Sequence, residues 1–372
     1  MSTLEIIGFV GNHNASEVIA AQGPVIDLDY IRALAAAQEH GGFDRVLLAF
    51  HSDSPESLLV GQYVAHHTSK LKLMIAHRPG FNAPTIAARQ LATLDHLTGG
   101  RVAVHIITGG NDAELAQDGD HLTKDQRYAR ASEYLDVVRH AWQADQPFDY
   151  EGEYYNVKGG RSAVRPQGPE GVPIFFGGSS EAALDVAGRH ADTFALWGET
   201  HAQVAQTIAA VRKSAARYGR NPRFSLSLRP ILGRTEDEAW QKADRILEDA
   251  KALRAARQGV ALINHQDATA PANEGSRRLL AAAAQGDRLD TRLWTGIAKL
   301  TGAAGNSTSL VGTPDQVAEA MLEYWNLGIE TFLIRGFDPL ADAVEYGRDL
   351  LPRLRALVAA QQAKSPKIHA AE

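Results

Sequence analysis

Four small residues, Gly177-Gly178-Ser179-Ser180, separate an apolar run from a segment of helical periodicity in VPIFFGGSSEAALDVAGRHAD. The first turn of a helix presents unpaired N–H groups and the positive end of the helix dipole. Serine hydroxyls add hydrogen bonds there, and glycine lets a ligand approach the backbone closely. The combination suits a phosphate group. A serine N-cap beside a glycine turn, with no ligand, explains the same residues equally well.

Other residues of chemical interest lie at or just after the ends of apolar, strand-like runs, and most carry histidine, arginine or hydroxyl groups. They are His13, His51, Ser52, His77, Arg78, His105, Thr108, Trp197, Glu199, Arg229 and Arg335. Carboxylates are too few for the facing pair of acids that a glycosidase needs. The four histidines could converge on a metal, but no spaced motif such as H-E-x-x-H accompanies them, and partly buried structural histidines explain them as well. A serine hydrolase is disfavoured because the chain has no G-x-S-x-G elbow.

The elements that must position these residues are eight short apolar runs, separated by segments of helical periodicity. The runs are residues 4–10, 44–50, 71–77, 101–107, 173–178, 192–198, 223–232 and 330–336. Runs that are apolar on both faces and alternate with helices predict parallel βαβ units. Eight units favour a (β/α)₈ barrel, whose active site lies at the C-terminal ends of the strands. A doubly wound open sheet is the rival, weakened because no G-x-G-x-x-G follows the first strand.

Two connections are too long for simple barrel loops. The first contains a predicted helix over 124–142 and an aromatic, turn-rich stretch over 148–171, which predicts a hairpin. The second precedes the last strand, and long insertions of this kind are often functional lids. Its part from Asn264 to Asn306 is our predicted lid, with Gly275, Gly286, Gly302 and Gly305 as hinges. We expect one domain over 1–360 and a disordered tail over 361–372.

Composition excludes several classes of function. The net charge of -6 disfavours a nucleic-acid or anionic-membrane surface. The chain has no cysteine, so disulfides, thiolate nucleophiles and cysteine-ligated metals are ruled out. The N-terminal residues lack the pattern of a signal peptide, and the apolar runs are too short to span a membrane. We therefore expect a cytoplasmic protein.

Several blocks, in order, resemble the bacterial-luciferase-like flavin monooxygenases. The blocks are HRPGFNAPTIAARQLATLDHLTGGR, RVAVHIITGG, DQRYARASEYLDVVRHAW, YEGEYYNV, PIFFGGSSEAA and LVGTPDQVAEAMLEYWNLGIETFLIRGF, then EYGRDLLPRLRAL. They cover nearly the whole chain. Within the family, the chain is most similar to the FMNH2-dependent alkanesulfonate monooxygenases.

The resemblance implies a barrel with insertions and a two-component system. A separate NAD(P)H-dependent reductase would supply reduced FMN, and O2 would then break the carbon–sulfur bond of a sulfonate to give sulfite and an aldehyde. Family members are commonly homodimers or homotetramers. Relatives that use deazaflavin F420, act on sulfones or hydrocarbons, or bind flavin without catalysis remain alternatives.

Carried over by resemblance, Ser179, Ser180 and Tyr128 would bind the FMN phosphate, with Gly178 allowing close approach. His105 and Thr108 would lie near the flavin ring, although the family usually has Asn where His105 stands. Water must be kept from the reacting flavin, which is the function expected of the lid.

At the substrate end the chain departs from the family. Ser227 and Arg229 stand where alkanesulfonate enzymes carry Arg and His, while Thr301 and Phe337 replace an Arg and a Tyr. Arg335 and Arg229 could hold a sulfonate by charge-assisted hydrogen bonds, and we expect a polar molecule such as a sulfosugar. Alternatively, Arg229 pairs with an acid such as Glu199. Trp197 is a predicted wall of the site, and His13 or His51 the predicted acid or base.

Overall fold

Runs that are apolar on both faces form a closed barrel in the computed structural model, which describes residues 4–256, 273–303, 305 and 307–364. The strands are β1 (Glu5–Val10), β2 (Arg45–Leu48), β3 (Lys72–His77), β4 (Val102–Ile106), β5 (Phe148–Glu151), β6 (Asn156–Gly160), β7 (Ile174–Gly177), β8 (Thr193–Trp197), β9 (Arg223–Leu228), β10 (Ile231–Leu232), β11 (Arg288–Leu289), β12 (Leu293–Trp294), β13 (Ser309–Gly312) and β14 (Thr331–Ile334). Eight of them close the barrel in the order β1-β14-β9-β8-β7-β4-β3-β2.

All neighbouring strands of the barrel are parallel, as eight successive βα units require. The (β/α)₈ prediction is therefore confirmed, and the open-sheet alternative is wrong. Each of the eight predicted runs contributes one barrel strand.

Helices connect the strands and cover the outside of the barrel. They are α1 (Leu28–His40), α2 (Ser57–His66), α3 (Pro84–Thr98), α4 (Asp112–Gln117), α5 (Lys124–Gln143), α6 (Glu181–His190), α7 (His201–Ala216), α8 (Glu236–Ala256), α9 (Glu274–Ala283), α10 (Gly296–Thr301), α11 (Pro314–Asn326), α12 (Pro339–Glu345) and α13 (Leu351–Lys364), with a π-helical turn at Tyr346–Leu350. Three of them, α5, α7 and α11, begin with a Thr-x-x-Gln capping box, in which each side chain binds the other residue's backbone N–H. These short motifs fix where the helices start.

The first insertion lies between β4 and β7. It contains α5, which closely matches the helix predicted over 124–142, and the antiparallel hairpin of β5 and β6. Both features were expected from the sequence, and α5 packs against α3 and α6 on the outside of the barrel.

The second insertion begins where the predicted strand 223–232 breaks. β9 ends at Leu228, and β10 begins at Ile231 in a separate sheet of order β10-β13-β12-β11. Pro230 has no N–H to donate to the barrel ladder, and a proline also restricts the residue before it, Arg229. The single long strand was therefore a wrong prediction. The small sheet has its own buried cluster, which includes Ile231, Trp240, Trp294, Ile297 and Val311.

The predicted lid, Asn264 to Asn306, is covered in part. Residues 264–272, 304 and 306 lie outside the described residues. The described part contains α9, β11, β12 and α10, so it is a folded subdomain and not an open loop. Gly275 lies within α9, whereas Gly302 ends α10 with φ 65°.

At the C-terminus α13 continues to Lys364, four residues into the predicted tail, and residues 365–372 are outside the described part. Within the residues that the structure describes, no helix is long and apolar enough to cross a membrane.

Candidate active site

The C-terminal mouth of the barrel begins one layer above a buried interior cluster. That cluster contains Ile7, Met74, Ala103 and Phe175, with Leu333 packed against it. Because side chains alternate between the inside and the outside along a strand, the residue two positions later faces the interior one layer nearer the mouth. This count leads to Phe9, Ala76, His105, Gly177 and Arg335. The pleat thus directs two of the predicted site residues, His105 and Arg335, toward the mouth.

The turn between β7 and α6 brings four predicted residues together. Ser180 is the N-cap of α6, and its Oγ accepts a hydrogen bond from the Ala183 backbone N–H at 3.3 Å. Gly178 has φ +146°, a conformation that favours glycine. A Cβ built on Gly178 would lie 2.6 Å from the Ala183 Cβ and 3.0 Å from the Tyr128 hydroxyl oxygen. The hydroxyl of Tyr128, from α5, is thus adjacent to the turn. We call Tyr128, Gly178, Ser179 and Ser180 the phosphate cradle.

The cradle contains the serine N-cap, which a turn without a ligand would also have. The added element is Tyr128, because its buried ring places a hydroxyl beside a backbone that no Cβ shields. The Ser180 hydroxyl accepts within the helix and keeps its own proton to donate. Arg127, the neighbour of Tyr128 in the sequence, turns instead to Asp112 at 2.9 Å. The donors in the cradle are therefore neutral hydroxyls and backbone N–H groups at the positive end of α6, which fit a phosphate.

His105 lies further into the barrel, on β4. Burial lowers the pKa of His105 to about 4, so the imidazole is neutral at pH 7. Its Nδ1 is buried and has no hydrogen-bond partner among the described residues. An unpartnered buried nitrogen costs about 1–3 kcal/mol, so this atom fits a site completed by a polar ligand group. Thr108, two residues after β4, is half-buried.

Arg229 and Arg335 converge on one carboxylate. Arg229 follows β9 and is fully buried, and its Nη1 lies 2.8 Å from Oε1 of Glu17. Arg335 follows β14, and its Nη2 lies 3.0 Å from the same oxygen. An ion pair at Arg229, the alternative raised from the sequence, is therefore present, but its acid is Glu17 and not Glu199. We call Arg229, Arg335 and Glu17 the arginine seat.

Two further contacts hold Arg229 in place. Its Nη2 donates to the carbonyl oxygen of Gly336 at 2.9 Å, and its guanidinium carbon lies 3.6 Å from the centroid of the Phe337 ring. A carbonyl oxygen, an aromatic face and a carboxylate therefore surround the guanidinium group of Arg229, which is fully buried. Phe337 therefore provides a stacking surface for the guanidinium group.

The charges of the arginine seat are fixed at neutral pH. Burial raises the pKa of Glu17, but attraction to Arg229 and Arg335 outweighs it, so this pKa lies well below its usual range. Burial, with repulsion from Arg229, lowers the pKa of Arg335 to about 10, against the opposing effect of Glu17. All three groups are ionised at pH 7, and the seat carries one net positive charge.

A second carboxylate, Glu114 on α4, was missed by the sequence analysis. It lies at the loops that follow β2 and β3, where it accepts hydrogen bonds from Arg78 Nη2 and from the Ser52 backbone N–H at 3.2 Å. The Nδ1 of His51 is 3.4 Å from the same oxygen. Burial raises the pKa of Glu114, but hydrogen bonds from His51 and Arg78 lower it to about 2.

His51 therefore has an ionised carboxylate partner and a half-exposed ring, as a proton-transfer residue requires. His13 is placed differently, since its Nδ1 lies 3.1 Å from the carbonyl oxygen of Val25 and so binds its own loop. A signal for Glu114 was present in the sequence, because the acid follows a glycine-rich loop directly after β4.

Trp197 and Glu199 link the end of β8 to the second insertion. A Cβ on Gly275 of α9 would lie 3.0 Å from Cζ3 of Trp197, so the ring packs against this helix. Glu199 is buried and forms a two-point ion pair with Arg278 of α9, at 3.1 and 2.8 Å. The Trp197 ring thus packs between the end of β8 and α9, its role as a wall of the site stays a prediction, and Glu199 anchors α9.

The four strand-end histidines do not come together. His77 faces α5, where its Nε2 lies 2.6 Å from the Tyr134 hydroxyl, and burial lowers its pKa to about 4. Across the described residues, no group of three or more His, Asp or Glu side chains is placed to hold a metal ion.

The sequence model of the luciferase-like monooxygenases matches residues 4–331. The chain belongs to this family. It is therefore a flavin-dependent monooxygenase with a (β/α)₈ barrel.

Solved structures of similar fold include an EDTA monooxygenase from Chelativorans sp. BNC1, with 20% identity, TM-score 0.76 and coverage of 96% of this chain and 94% of that chain. A riboflavin lyase, solved with modified FMN and its substrate riboflavin, has 21% identity, TM-score 0.74 and coverage of 96% and 92%. A long-chain alkane monooxygenase has 22% identity, TM-score 0.74 and coverage of 100% and 94%. These likenesses describe the fold.

Proposed function

We propose that this protein is a two-component monooxygenase that uses reduced FMN and O2 to cleave the carbon–sulfur bond of an organosulfonate. The products are sulfite and an aldehyde. The observation that carries the proposal is the convergence of Arg229 and Arg335, which follow β9 and β14, two and three strands from β7 and its phosphate cradle.

A sulfonate is a permanent anion with three oxygens, and guanidinium groups bind such oxygens by charge-assisted hydrogen bonds. Arg229 cannot swing away easily, because Gly336 and Phe337 hold it on two sides. Polar residues at neighbouring strand ends, including Asn12 and His51, would bind hydroxyl groups of the substrate. This arrangement favours a polar sulfonate, such as a sulfosugar, over a simple alkyl chain.

The residues present fit FMN. The phosphate cradle would bind the phosphate, while His105 and Thr108 would contact the flavin ring, and the buried Nδ1 of His105 would gain a partner there. Reduced FMN supplies the two electrons that activate O2, of which one atom enters the aldehyde and the other leaves as water. The protein's own part is to bind both molecules, orient them and keep bulk water out.

Proton transfer is assigned to His51. Its Nδ1 faces the Glu114 carboxylate, which orients the ring and leaves Nε2 to exchange a proton with the substrate. His13 is the second choice, since the Val25 carbonyl oxygen already occupies its Nδ1.

We further propose an NAD(P)H-dependent reductase as a transient partner and a homodimer as the working assembly. The exposed face of α2 and α3 supports the homodimer, because Leu59, Ile86 and Leu97 are all largely or partly exposed there. Sedimentation velocity of the purified chain tests the oligomeric state.

The proposed reaction is tested by supplying the protein with FMN, a flavin reductase, NADH and a panel of sulfonates, and by assaying sulfite. Sulfite release from at least one sulfonate, dependent on O2, is the expected result. Loss of a sulfone or an alkane without sulfite from any sulfonate would assign another substrate class. Activity with reduced F420 but not with reduced FMN would replace the cofactor assignment.

A further inference from the structure

Glu17 occupies the arginine seat through a single oxygen atom. Its Oε1 lies 2.8 Å from Nη1 of Arg229 and 3.0 Å from Nη2 of Arg335. Carboxylates bind guanidinium groups best through two parallel hydrogen bonds, one to each oxygen. This carboxylate makes neither fork, so its contact with the two cations is a weaker arrangement than the side chains allow.

Several polar atoms around that contact lack partners. Oε2 of Glu17 is buried without a hydrogen bond among the described residues, as are Nε and Nη1 of Arg229, whose close approach to Oε1 lacks hydrogen-bond geometry. Arg229 is fully buried, so water does not satisfy these donors. Native proteins leave few such groups unpaired. The donors are therefore arranged for an anion that has more oxygens, or a different approach, than Glu17 offers.

The chain segment that carries Glu17 is suited to move. Residues 11–27 join β1 to α1 without a helix or a strand, and most of their side chains are half-buried or exposed. Within the segment, Asp27 N–H binds the Asn12 carbonyl oxygen, and Ser16 N–H binds that of Ile19. Segments with few buried contacts and few backbone hydrogen bonds rearrange at low cost in free energy.

We propose that Glu17 is a specificity-determining residue: an internal counter-ion that substrate must displace from Arg229 and Arg335. Without substrate, the carboxylate neutralises one of two cations that would otherwise repel each other at the mouth of the barrel. A sulfonate takes its place with three oxygens, and Glu17 moves away with residues 11–27. Weakly held anions and neutral molecules do not displace it. This inference rests on the proposed function for the identity of the anion.

The test measures binding of methanesulfonate by calorimetry, without reductase or NADH and with oxidised FMN present to fill the phosphate cradle. Glu17→Gln removes the competing charge, and we expect its dissociation constant to be about tenfold lower than that of the unaltered protein. Glu17→Asp, which keeps the charge but is one methylene shorter, should also bind more tightly. It provides the test if the Gln variant does not fold. Equal or weaker binding by folded variants would overturn the proposal, because Glu17 would then align the arginines and not compete with the anion.

Two further variants locate the effect. Glu248→Gln removes an exposed carboxylate paired with Lys251 on α8, and binding should stay unchanged. Adding Arg335→Met to Glu17→Gln should abolish the gain in affinity. A gain that survives in the double variant would place the anion elsewhere and reject the seat.

The outcome is separate from that of the proposed reaction. Tighter binding by Glu17→Gln, with no sulfite from any sulfonate, keeps the counter-ion and rejects desulfonation. Sulfite production with no gain in affinity keeps the reaction and rejects the counter-ion.

Discussion

The phosphate cradle and the arginine seat are built from different kinds of groups. The phosphate cradle uses a backbone turn, hydroxyl groups and the start of α6, and its residues need no charge. The arginine seat uses three ionised side chains from three separate segments, one of them fully buried. The cradle is rigid because the backbone forms it. The seat depends on which anion is present, since its cations already have one.

The difference suggests that the cradle contributes to cofactor binding and that the seat contributes to substrate selection. As proposed, a cradle of N–H and hydroxyl groups would bind any phosphate of suitable shape with little rearrangement. A seat with an internal counter-ion admits only ligands that compete with it, so it selects by charge and by geometry. Variants at each end should therefore change different measurable quantities.

Arg229→Met should have the largest effect, because it removes one cation of the seat and keeps a similar volume. We expect kcat/KM for a sulfonate to fall about 100-fold, as for loss of charge-assisted hydrogen bonds in a buried site. The affinity for FMN should stay within about twofold, since Arg229 follows β9, two strands from the cradle at β7. Arg234→Met, at an exposed pair with Glu238, is the matched control. Unchanged sulfonate kinetics in a folded Arg229→Met protein would show that the arginine seat does not bind the sulfonate.

Gly178→Ala tests the cradle from the opposite side. The new Cβ would meet the Ala183 Cβ at 2.6 Å, and the φ of +146° strains any residue with a Cβ. We expect the dissociation constant for FMN to rise more than about tenfold, measured by quenching of flavin fluorescence. Gly219→Ala also places a Cβ on a residue of positive φ, +64°, but with no atom within 4 Å, so it should leave FMN affinity unchanged.

Arg278→Gln addresses the connection between the mouth and the second insertion. Loss of the two-point ion pair with Glu199 should loosen α9 against Trp197 and let water reach the site. We expect the share of consumed O2 that appears as H2O2 to rise about two- to fivefold, with a smaller fall in kcat. Arg277→Gln, next in sequence and paired with Glu274 at the surface, should behave as the unaltered protein. Equal H2O2 release from the two variants would remove the lid role from α9.

His190 gives the smallest effect and lies outside both ends of the mouth. It is buried between α5 and α6, where its Nε2 lies 2.9 Å from Oγ of Ser132. Burial, with repulsion from Arg189, Arg139 and Arg220, lowers its pKa to about 3. The unfolded chain therefore binds a proton below about pH 6.5 that the folded chain does not, so stability falls as pH falls from 6.5 toward 3.

The expected slope from His190 is about 1.4 kcal/mol of unfolding free energy per pH unit within that window. His77 and His105 add to it down to about pH 4. Urea unfolding between pH 5 and 7 measures the slope. His190→Gln removes one titrating group and should lower the slope by about 1.4 kcal/mol per pH unit. An unchanged slope in that variant would show that His190 is protonated in the folded protein. FMN affinity at pH 7 should not change, because neither the cradle nor the seat contacts His190.

The barrel and the turn at 177–180 could be predicted from the sequence because their signals are local. Runs such as 173–178 predict strands by composition alone, and the glycine and serine residues at 177–180 stand beside the helix that they cap. The partner of Arg229 could not be read in the same way. Glu17 is 212 residues away in the chain. It comes near Arg229 because β1 pairs with β14, and β14 pairs with β9, when the barrel closes. It is nevertheless the first acid after β1, which is a usable signal once closure is known.

Glu114 was missed for a related reason. Its role depends on Arg78 and His51, which belong to two other strand ends. The break at Pro230 was missed because apolar residues stand on both sides of it, at Phe224, Leu226, Leu228, Ile231 and Leu232, and were taken as one run. The hydrophobic pattern of a sequence indicates which residues are buried, but not in which sheet they lie. Both β9 and β10 are buried, but they belong to different sheets.

The break in that strand has a mechanical consequence. Arg229 and Pro230 are the only residues between β9 of the barrel and β10 of the small sheet, and the Arg229 N–H binds the carbonyl oxygen of Thr308 at 3.0 Å. Any shift of the small sheet therefore pulls on the backbone that carries the buried guanidinium. Conversely, an anion that draws Arg229 inward exerts tension on the insertion. Movement of the insertion and binding of an anion at Arg229 are therefore mechanically coupled.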